Sequence, residues 1–376
     1  MAHFCSFLLH KVPKKGIFRN ILLKTVNTLR NIISIFVKII NGMAKNNNVA
    51  SLDLLQEVMD KINKSYGAGT VYEYKNFTGE ERERVPTGSL GLDYITGGGW
   101  VKGLMHYISG FESSGKSTIC LYAIAEIQKK GGKAAYIDHE YCFDKGYAES
   151  LGVNVDELIV AQPDTIEKGY QIFVDLCGTG MVDLIVFDSI AAAQTQKEAN
   201  GDVGDQSMGV KAKLNSATFP KITQKLHEHN VIGIFVNQLR HNIGITYGSP
   251  VTEPGGNALK FYPSIKIEVR QSEKQKDDEG MITGNLVKAK CTKNKTSRPF
   301  LETDYIINYG EGISKEMEIL SFGQDLGLIK RSGSWYSYGD VKLGQGASNV
   351  VLLLKDNVDL TDELESIIRK NLFPDA

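Results

Sequence analysis

Apolar positions recur along the chain with two different periods. Over 51–67, "SLDLLQEVMDKINKSYG", residues Leu54, Leu55, Val58, Met59 and Ile62 fall at helical spacing, with Ser51 as cap and Gly67 as stop. From residue 104 strands and helices alternate. "LMHYIS" (104–109) reads as a strand and "KSTICLYAIAEIQKKGG" (116–132) as a helix ending on two glycines. "KAAYIDHE" (133–140), "DLIVFDSIA" (183–191) and "VIGIFVNQ" (231–238) read as strands. "IEKGYQIFVDLCGTG" (166–180) and "FPKITQKLHEHN" (219–230) read as helices, the second with Pro220 in its first turn. Short apolar runs between amphipathic helices predict an α/β fold whose largely parallel, twisted sheet is buried on both faces.

Past about residue 262 the rhythm changes. "SIKIEVRQ" and "NLVKAKCTKNK" flank the charged turn "SEKQKDDEGMITG", an antiparallel hairpin expected at the sheet edge. "LIKRSGSWYSYGDVKLGQG" and "LTDELESIIRKNLF" predict a small α/β domain. The expected divisions are a leader at 1–43, an N-terminal helix and polar linker at 44–85, a core at 86–312 and the small C-terminal domain at 313–376, with no internal repeat.

Charge alters this picture at one end. The 376-residue chain is 42% hydrophobic and 23% charged with a net charge of −1, so any nucleic-acid surface must be local. Residues 1–43 hold seven Lys and Arg and no Asp or Glu; the other 36 basic and 44 acidic residues leave −8 on the remainder. Arg19, Lys24, Arg30 and Lys38 interrupt the leader before it reaches the ~18 apolar residues of a membrane span, so no span is expected, and membrane contact of residues 1–43 is the less favoured reading. Two readings of the leader stay open. One is a basic amphipathic surface helix or organelle presequence; the other is an unstructured leader ahead of a natural start at Met43, "MAKNNNVASLD". The five cysteines form no C-x-x-C pair, and Cys120, Cys142 and Cys177 lie in or beside apolar segments. That is the pattern of buried free thiols in a reducing compartment.

Candidate chemistry begins at "GFESSGKST" (110–118). Gly110-x4-Gly115-Lys116-Ser117, between a strand and a helix, matches a phosphate-binding loop. Its glycines let successive backbone N–H groups face one anion at a helix N-terminus. Lys116 is then positioned for β- and γ-phosphates and the Ser117 hydroxyl for Mg²⁺. Asp188 closes the strand "LIVFD", the Walker B pattern of a Mg²⁺ partner, although strand-end aspartates also serve as helix caps. Glu140, just past its strand, is the candidate for activating water if that strand neighbours the strand of Asp188; a plain surface glutamate is the competing reading. Asp138 reads as structural.

With these pieces in order, the chain resembles the RecA recombinase family. "GFESSGKST", "AAYIDHEYCFDKGYAESLGV", "VAQPDT", "DLIVFDSIAA", "FVNQLR", "GGNALKFYPS" and "GEGIS…GLIKRSGSWYSY" follow the family's order and spacing over about 50–356. "GGNALKFY" after "NQLR" separates it from other phosphate-loop ATPases such as hexameric helicases. The resemblance implies a DNA-dependent ATPase that uses ATP and Mg²⁺, forms a helical homo-filament on single-stranded DNA and pairs it with homologous duplex DNA. The 51–67 helix would pack on the neighbouring subunit. Glu112, Ser113, Ser114 and Thr118 would join Gly110, Gly115, Lys116 and Ser117 in the phosphate loop. Asp144 and Tyr147 would contact adenine, and Gln238 would sense the γ-phosphate. Lys293 and Lys295 would reach the nucleotide of the adjacent subunit.

Two DNA-binding loops are implied, around 198–208 with Met208 and at 240–256 with Arg240, Ile243, Gly244, Tyr247, Gly255 and Gly256, followed by Asn257. Lys213 and Ser216 match DNA-facing positions. Pro220 stands where the family carries a phosphate-contacting arginine, which implies an altered local helix, and the strongly acidic C-terminal tail is absent. These departures fit a divergent member of phage or organelle origin. The implied setting is the cytoplasm of a bacterium or phage-infected host, or an organelle if 1–43 is a presequence. Mediator proteins and self-cleaving repressors are the further partners the family implies. Two rivals stand beside this reading: a non-hydrolysing ATP-gated coat on single strands, and a helicase motor.

Overall fold

A computed structural model describes residues 48–73, 82–202, 209–241, 251–276 and 279–374, with isolated positions between 24 and 35. The chain divides into two compact units, Met1–Glu80 and Glu81–Ala376. In the first, helix α1 (Asn48–Tyr66) begins three residues before Ser51, the expected cap, and stops at Gly67, whose φ is 113°. Asn63 ties the helix to the chain beyond it. Its Nδ2 donates to Val71 O (2.8 Å) and its Oδ1 accepts from Val71 N (2.9 Å).

The second unit runs β1 (Arg84–Val85), α2 (Leu90–Thr96), β2 (Trp100–Val101), β3 (Met105–Gly110), α3 (Lys116–Lys129), β4 (Ala134–Asp138), α4 (Lys145–Ser150), β5 (Ile159–Ala161), α5 (Ile166–Gly178) and β6 (Leu184–Asp188). It continues α6 (Gln196–Asn200), α7 (Val210–His229), β7 (Ile232–Gln238), β8 (Arg240–His241), β9 (Val251–Thr252), α8 (Ala258–Phe261), β10 (Ile265–Lys276), β11 (Ile282–Asn294), β12 (Glu302–Asn308) and β13 (Gly312–Ile313). It closes with α9 (Lys315–Asp325), β14 (Ile329–Ser332), β15 (Trp335–Tyr338), β16 (Val341–Gln345), α10 (Ala347–Asp356) and α11 (Val358–Leu372).

Nine strands form one sheet in the order β13-β12-β11-β10-β3-β7-β6-β4-β5. Pairing is parallel from β10 through β3, β7, β6 and β4 to β5, and antiparallel from β10 outward to β13. The central strands are buried along their length because both faces are covered. Ile108, Val186 and Val236 pack with α3 on one face; Tyr107, Phe187 and Phe235 pack with α5 and α7 on the other.

Two expectations change here. The hairpin β10–β11 is not the sheet edge, since β10 pairs with β3 and β12 lies beyond β11. Ile265, Ile267 and Val269 are buried at this join, whereas the charged "SEKQK" belongs to the projecting half of the same strand, not to the turn. Pro220 is not in a first turn either. Helix α7 starts at Val210 after Gly209 and continues through Pro220, with Phe219, Ile222 and Leu226 on its buried side. Proline removes one backbone donor, and on this amphipathic helix burial of those side chains outweighs that loss.

The last three strands and helices enclose a separate apolar cluster of Ile319, Leu320, Ile329, Tyr336, Val350 and Leu364. Helix α2 serves two clusters. Leu90 belongs to this one, and Leu92 and Ile95 belong to the large-sheet cluster. Its N-terminus is held by Glu318 of α9. Ser89 Oγ (2.5 Å) and Gly91 N (3.0 Å) donate to Oε1, and Leu90 N (3.1 Å) donates to Oε2. Asp93, with no exposed side-chain area, receives Arg369 Nη1 of α11 at 2.8 Å. Arg369→Ala leaves that buried carboxylate without its cation, and the expected loss is about 2–4 kcal/mol in urea unfolding. A loss within experimental error would show that the pair adds nothing.

Candidate active site

The C-terminal ends of adjacent parallel strands bring distant residues together. β3 and β7 pair with Gly110 opposite Gln238, and β4 and β6 pair with Asp138 opposite Asp188. Ligands of open α/β sheets bind at such strand ends. Gly115 caps α3 with a φ of 84°, and a side chain there would also collide with Ile307. The first turn of α3 therefore opens its free N–H groups onto a cavity of about 460 Å³. Glu112, Ser113, Ser114, Lys116, Ser117 and Thr118 line it from the loop side. Glu140, Asp188 and Gln238 line it from the strand ends, and Tyr147 lines it from helix α4.

Lys116 Nζ donates to Phe111 O at 2.6 Å. Burial pushes its pKa down, against the pull of Asp188 and Glu140. Asp188 Oδ2 accepts from Ser117 Oγ (2.8 Å) and Tyr136 OH (2.6 Å). Burial pushes this carboxyl up to about 6 and Glu140 adds to the rise, while Tyr136, Ser117 and Lys116 oppose it. A hydroxyl beside a buried carboxylate suits Mg²⁺, which takes one or two protein oxygens alongside phosphate. Among the described residues no group of three or more His, Cys, Asp or Glu offers an alternative metal site.

Glu140 is presented by a turn that Asp138 builds. Asp138 Oδ1 accepts from Glu140 N and Tyr141 N (both 2.9 Å), and Oδ2 accepts from Phe143 N (3.2 Å) and Gln162 Nε2 (3.1 Å). The Glu140 Oε1 atom then accepts from Ser189 Oγ (2.7 Å) and Gln238 Nε2 (2.8 Å).

Asp144 does not line the cavity. It caps α4 by accepting from Tyr147 N (3.0 Å), and Tyr147 OH lies 3.0 Å from Thr118 Oγ1. Lys293 and Lys295 do not line it either; Lys293 Nζ donates to Lys260 O (2.9 Å) and Phe261 O (2.8 Å). Five residues escaped the sequence reading: Tyr136, Ser189, Asn285, Ile307 and Tyr309. Tyr309 OH donates to Asn285 Oδ1 (3.0 Å) on the cavity wall. Of these, Tyr136 carried a usable signal, sharing a strand face with Asp138 two residues on.

Of the expected DNA-binding residues, Lys213 and Ser216 are exposed on α7 and Arg240 is exposed on β8. Gly255 and Gly256 have φ of 106° and 84°, and a side chain at 256 would strike Ala212 of α7. Asn257 caps α8. Met208, Ile243, Gly244 and Tyr247 lie outside the described residues. The first expected loop, 198–208, begins inside helix α6, whose capping box joins Thr195 and Glu198. Residues 253–255 are tied to the core. Glu253 receives Lys266 Nζ (2.6 Å), Pro254 O accepts from Asn237 Nδ2 (2.7 Å), and Gly255 O accepts from Asn215 Nδ2 (2.8 Å), itself held by Tyr170 OH (2.6 Å). Cys120, Cys177 and Cys291 are buried free thiols, whereas Cys142 is exposed, because it sits on the outward turn after Glu140.

The fold and cavity define the class as a phosphate-loop NTPase. The family model of the RecA N-terminal domain matches residues 53–314, and that of the RecA C-terminal domain matches residues 317–373. The Protein RecA of Bacteroides thetaiotaomicron is 45% identical over 84% of this chain and 96% of its own length. That of Porphyromonas gingivalis is 46% identical over 85% and 94%, and that of Rickettsia bellii 45% identical over 86% and 94%. The chain belongs to the RecA family. It is an ATP-dependent recombinase whose ATPase depends on DNA; neither a non-hydrolysing coat nor a helicase motor is favoured.

Proposed function

We propose that the cavity holds Mg-ATP at the seam between two protomers of a helical filament on single-stranded DNA, and that the filament pairs this strand with homologous duplex. The observation that carries the reading is the Gln238–Glu140 bond of 2.8 Å. It joins the candidate water-activating carboxylate to a residue that leads straight into a DNA-binding segment. Bound Mg²⁺ would supply charge neutralisation on the phosphates, held by Ser117 and Asp188. Lys116 neutralises the β- and γ-phosphates, and the loop N–H groups orient them. Glu140 orients the attacking water and takes its proton. Gln238 exchanges its bond to Glu140 for one to the γ-phosphate. Asp144 fixes Tyr147 for stacking on adenine. Lys293 and Lys295 act across the seam, a reading supported by their position away from their own chain's cavity. The buried thiols fit the cytoplasm, a reducing compartment.

Arg240, Lys213 and Ser216 meet DNA phosphate, and Gly255, Gly256 and Asn257 let backbone approach the strand. Arg240→Ala is expected to weaken binding to all sequences alike and to lower the salt slope of log K by about one, measured by anisotropy across salt concentrations. An unchanged slope removes Arg240 from the phosphate contacts. The whole reading is tested by electron microscopy with single-stranded DNA and a slowly hydrolysed ATP analogue, beside ATPase rates with and without DNA. Discrete particles together with equal rates would overturn it.

A further inference from the structure

The phosphate loop and the ribbon that carries Arg240 touch through a pair of rings. Phe111, second residue of the loop, stacks on His241 with centroids 4.5 Å apart and planes 18° from parallel. Backbone contacts bring the two segments together: Gly110 pairs with Gln238, and Leu239 N donates to Gly110 O at 2.9 Å. His241 in turn pairs with Val251 and Arg240 with Thr252 in the ribbon β8–β9.

The two sides of this ribbon are held differently. The descending side runs into residues 253–255, which the Lys266, Asn237 and Asn215 contacts fasten to buried parts of the core. The ascending side leans its His241 ring on the loop that grips phosphate. Phe111 is also mechanically linked to the charge that phosphate attracts. Its carbonyl accepts from Lys116 Nζ (2.6 Å) and Ser114 Oγ (2.7 Å). Phosphate oxygens compete strongly for the donors of an ammonium, so a triphosphate draws Lys116 away from the carbonyl of the residue that carries the ring and changes how that residue is held.

We propose that the Phe111–His241 ring pair is a positioning device that transmits occupancy of the phosphate loop to the Arg240 ribbon, in addition to Gln238. The inference rests on the proposed role of Arg240 and its ribbon in DNA binding. Neither ring touches the reacting atoms. Their effect falls on how far nucleotide tightens DNA, and by reciprocity on how far DNA tightens nucleotide.

The test is the ratio of affinities for a labelled oligo-thymidine strand with and without a slowly hydrolysed ATP analogue, read by anisotropy. His241→Leu and Phe111→Leu are each expected to cut the wild-type ratio by about two- to tenfold, the scale of one aromatic pair. The double variant is expected to fall no further than either single one. His241→Phe keeps a stacking ring and is expected to retain the ratio, which a general loss of folding would not allow. The inference is overturned if His241→Leu keeps the full ratio, if His241→Phe loses as much as His241→Leu, or if the two leucine variants add. A wild-type ratio of one would bring down the proposed function and this coupling with it. An intact wild-type ratio with an undiminished leucine variant would bring down the coupling alone.

Discussion

Glu140→Gln is expected to lower DNA-stimulated ATP turnover by about 10²–10⁴-fold, the range of a lost general base, while nucleotide-dependent DNA binding survives. The reason lies in what the carboxylate touches. One oxygen, Oε1, receives both Ser189 Oγ and Gln238 Nε2. A glutamine fills the same space and still offers one acceptor, and the Ser189 hydroxyl can turn to accept from an amide. The cavity wall therefore keeps its shape and loses its base. Lys116, Ser117 and Asp188 remain to hold the phosphates, so the nucleotide still binds. Phosphate release with and without single-stranded DNA gives the rate, and anisotropy of a labelled strand gives binding. Turnover within about threefold of wild type, a difference under ~1 kcal/mol in barrier, would remove Glu140 from the chemistry. Loss of DNA binding together with turnover would instead make it a structural support.

The second large effect concerns Glu318. Glu318→Ala is expected to cost about 3 kcal/mol at about pH 5, since it strips partners from Ser89 Oγ, Leu90 N and Gly91 N at a buried helix start. The cost should depend on pH with a definite sign. Burial foremost, with Asp93 adding, pushes this carboxyl up from 4.5 to about 7, against the hydrogen bonds from Ser89, Gly91 and Leu90. The folded protein keeps this proton where the unfolded chain has lost it. The stabilisation tied to it is complete below about 4.5 and fades as pH rises through about 7. The wild-type advantage over Glu318→Ala should therefore shrink as pH rises from about 5 to about 8, read from urea midpoints of both proteins. An advantage that stays level over that interval would mean that Glu318 is ionised throughout, with no proton to lose on unfolding.

The legible parts of the site were those in which chemistry is compressed into a few adjacent residues. Gly110, Gly115, Lys116 and Ser117 form one loop, and Asp188 ends one apolar strand, so strand–loop–helix order sufficed to place them. Glu140 needed one further fact, that its strand neighbours that of Asp188, and the register of β4 on β6 supplies it. What sequence alone did not reveal comes from residues far apart in the chain. Asn285, Ile307 and Tyr309 reach the cavity from antiparallel strands beyond β10, and no periodic pattern links them to residue 116. The Phe111–His241 stack escaped for the same reason. The far end of the hairpin looks like a turn in sequence because its residues are charged, although backbone pairing continues past the point where burial stops. Pro220 misleads in sequence because its local preference is for a helix start, whereas the packing of Phe219, Ile222 and Leu226 carries the helix through it.

Helix α2 gives Leu90 to one apolar cluster and Leu92 and Ile95 to another. The two clusters are consequently coupled in unfolding: neither can melt without exposing part of this short helix, so heat should register them as a single cooperative transition. A chain cut after residue 313 would leave an oily side chain and a bare helix start facing water, and would be harder to keep in solution than the intact protein.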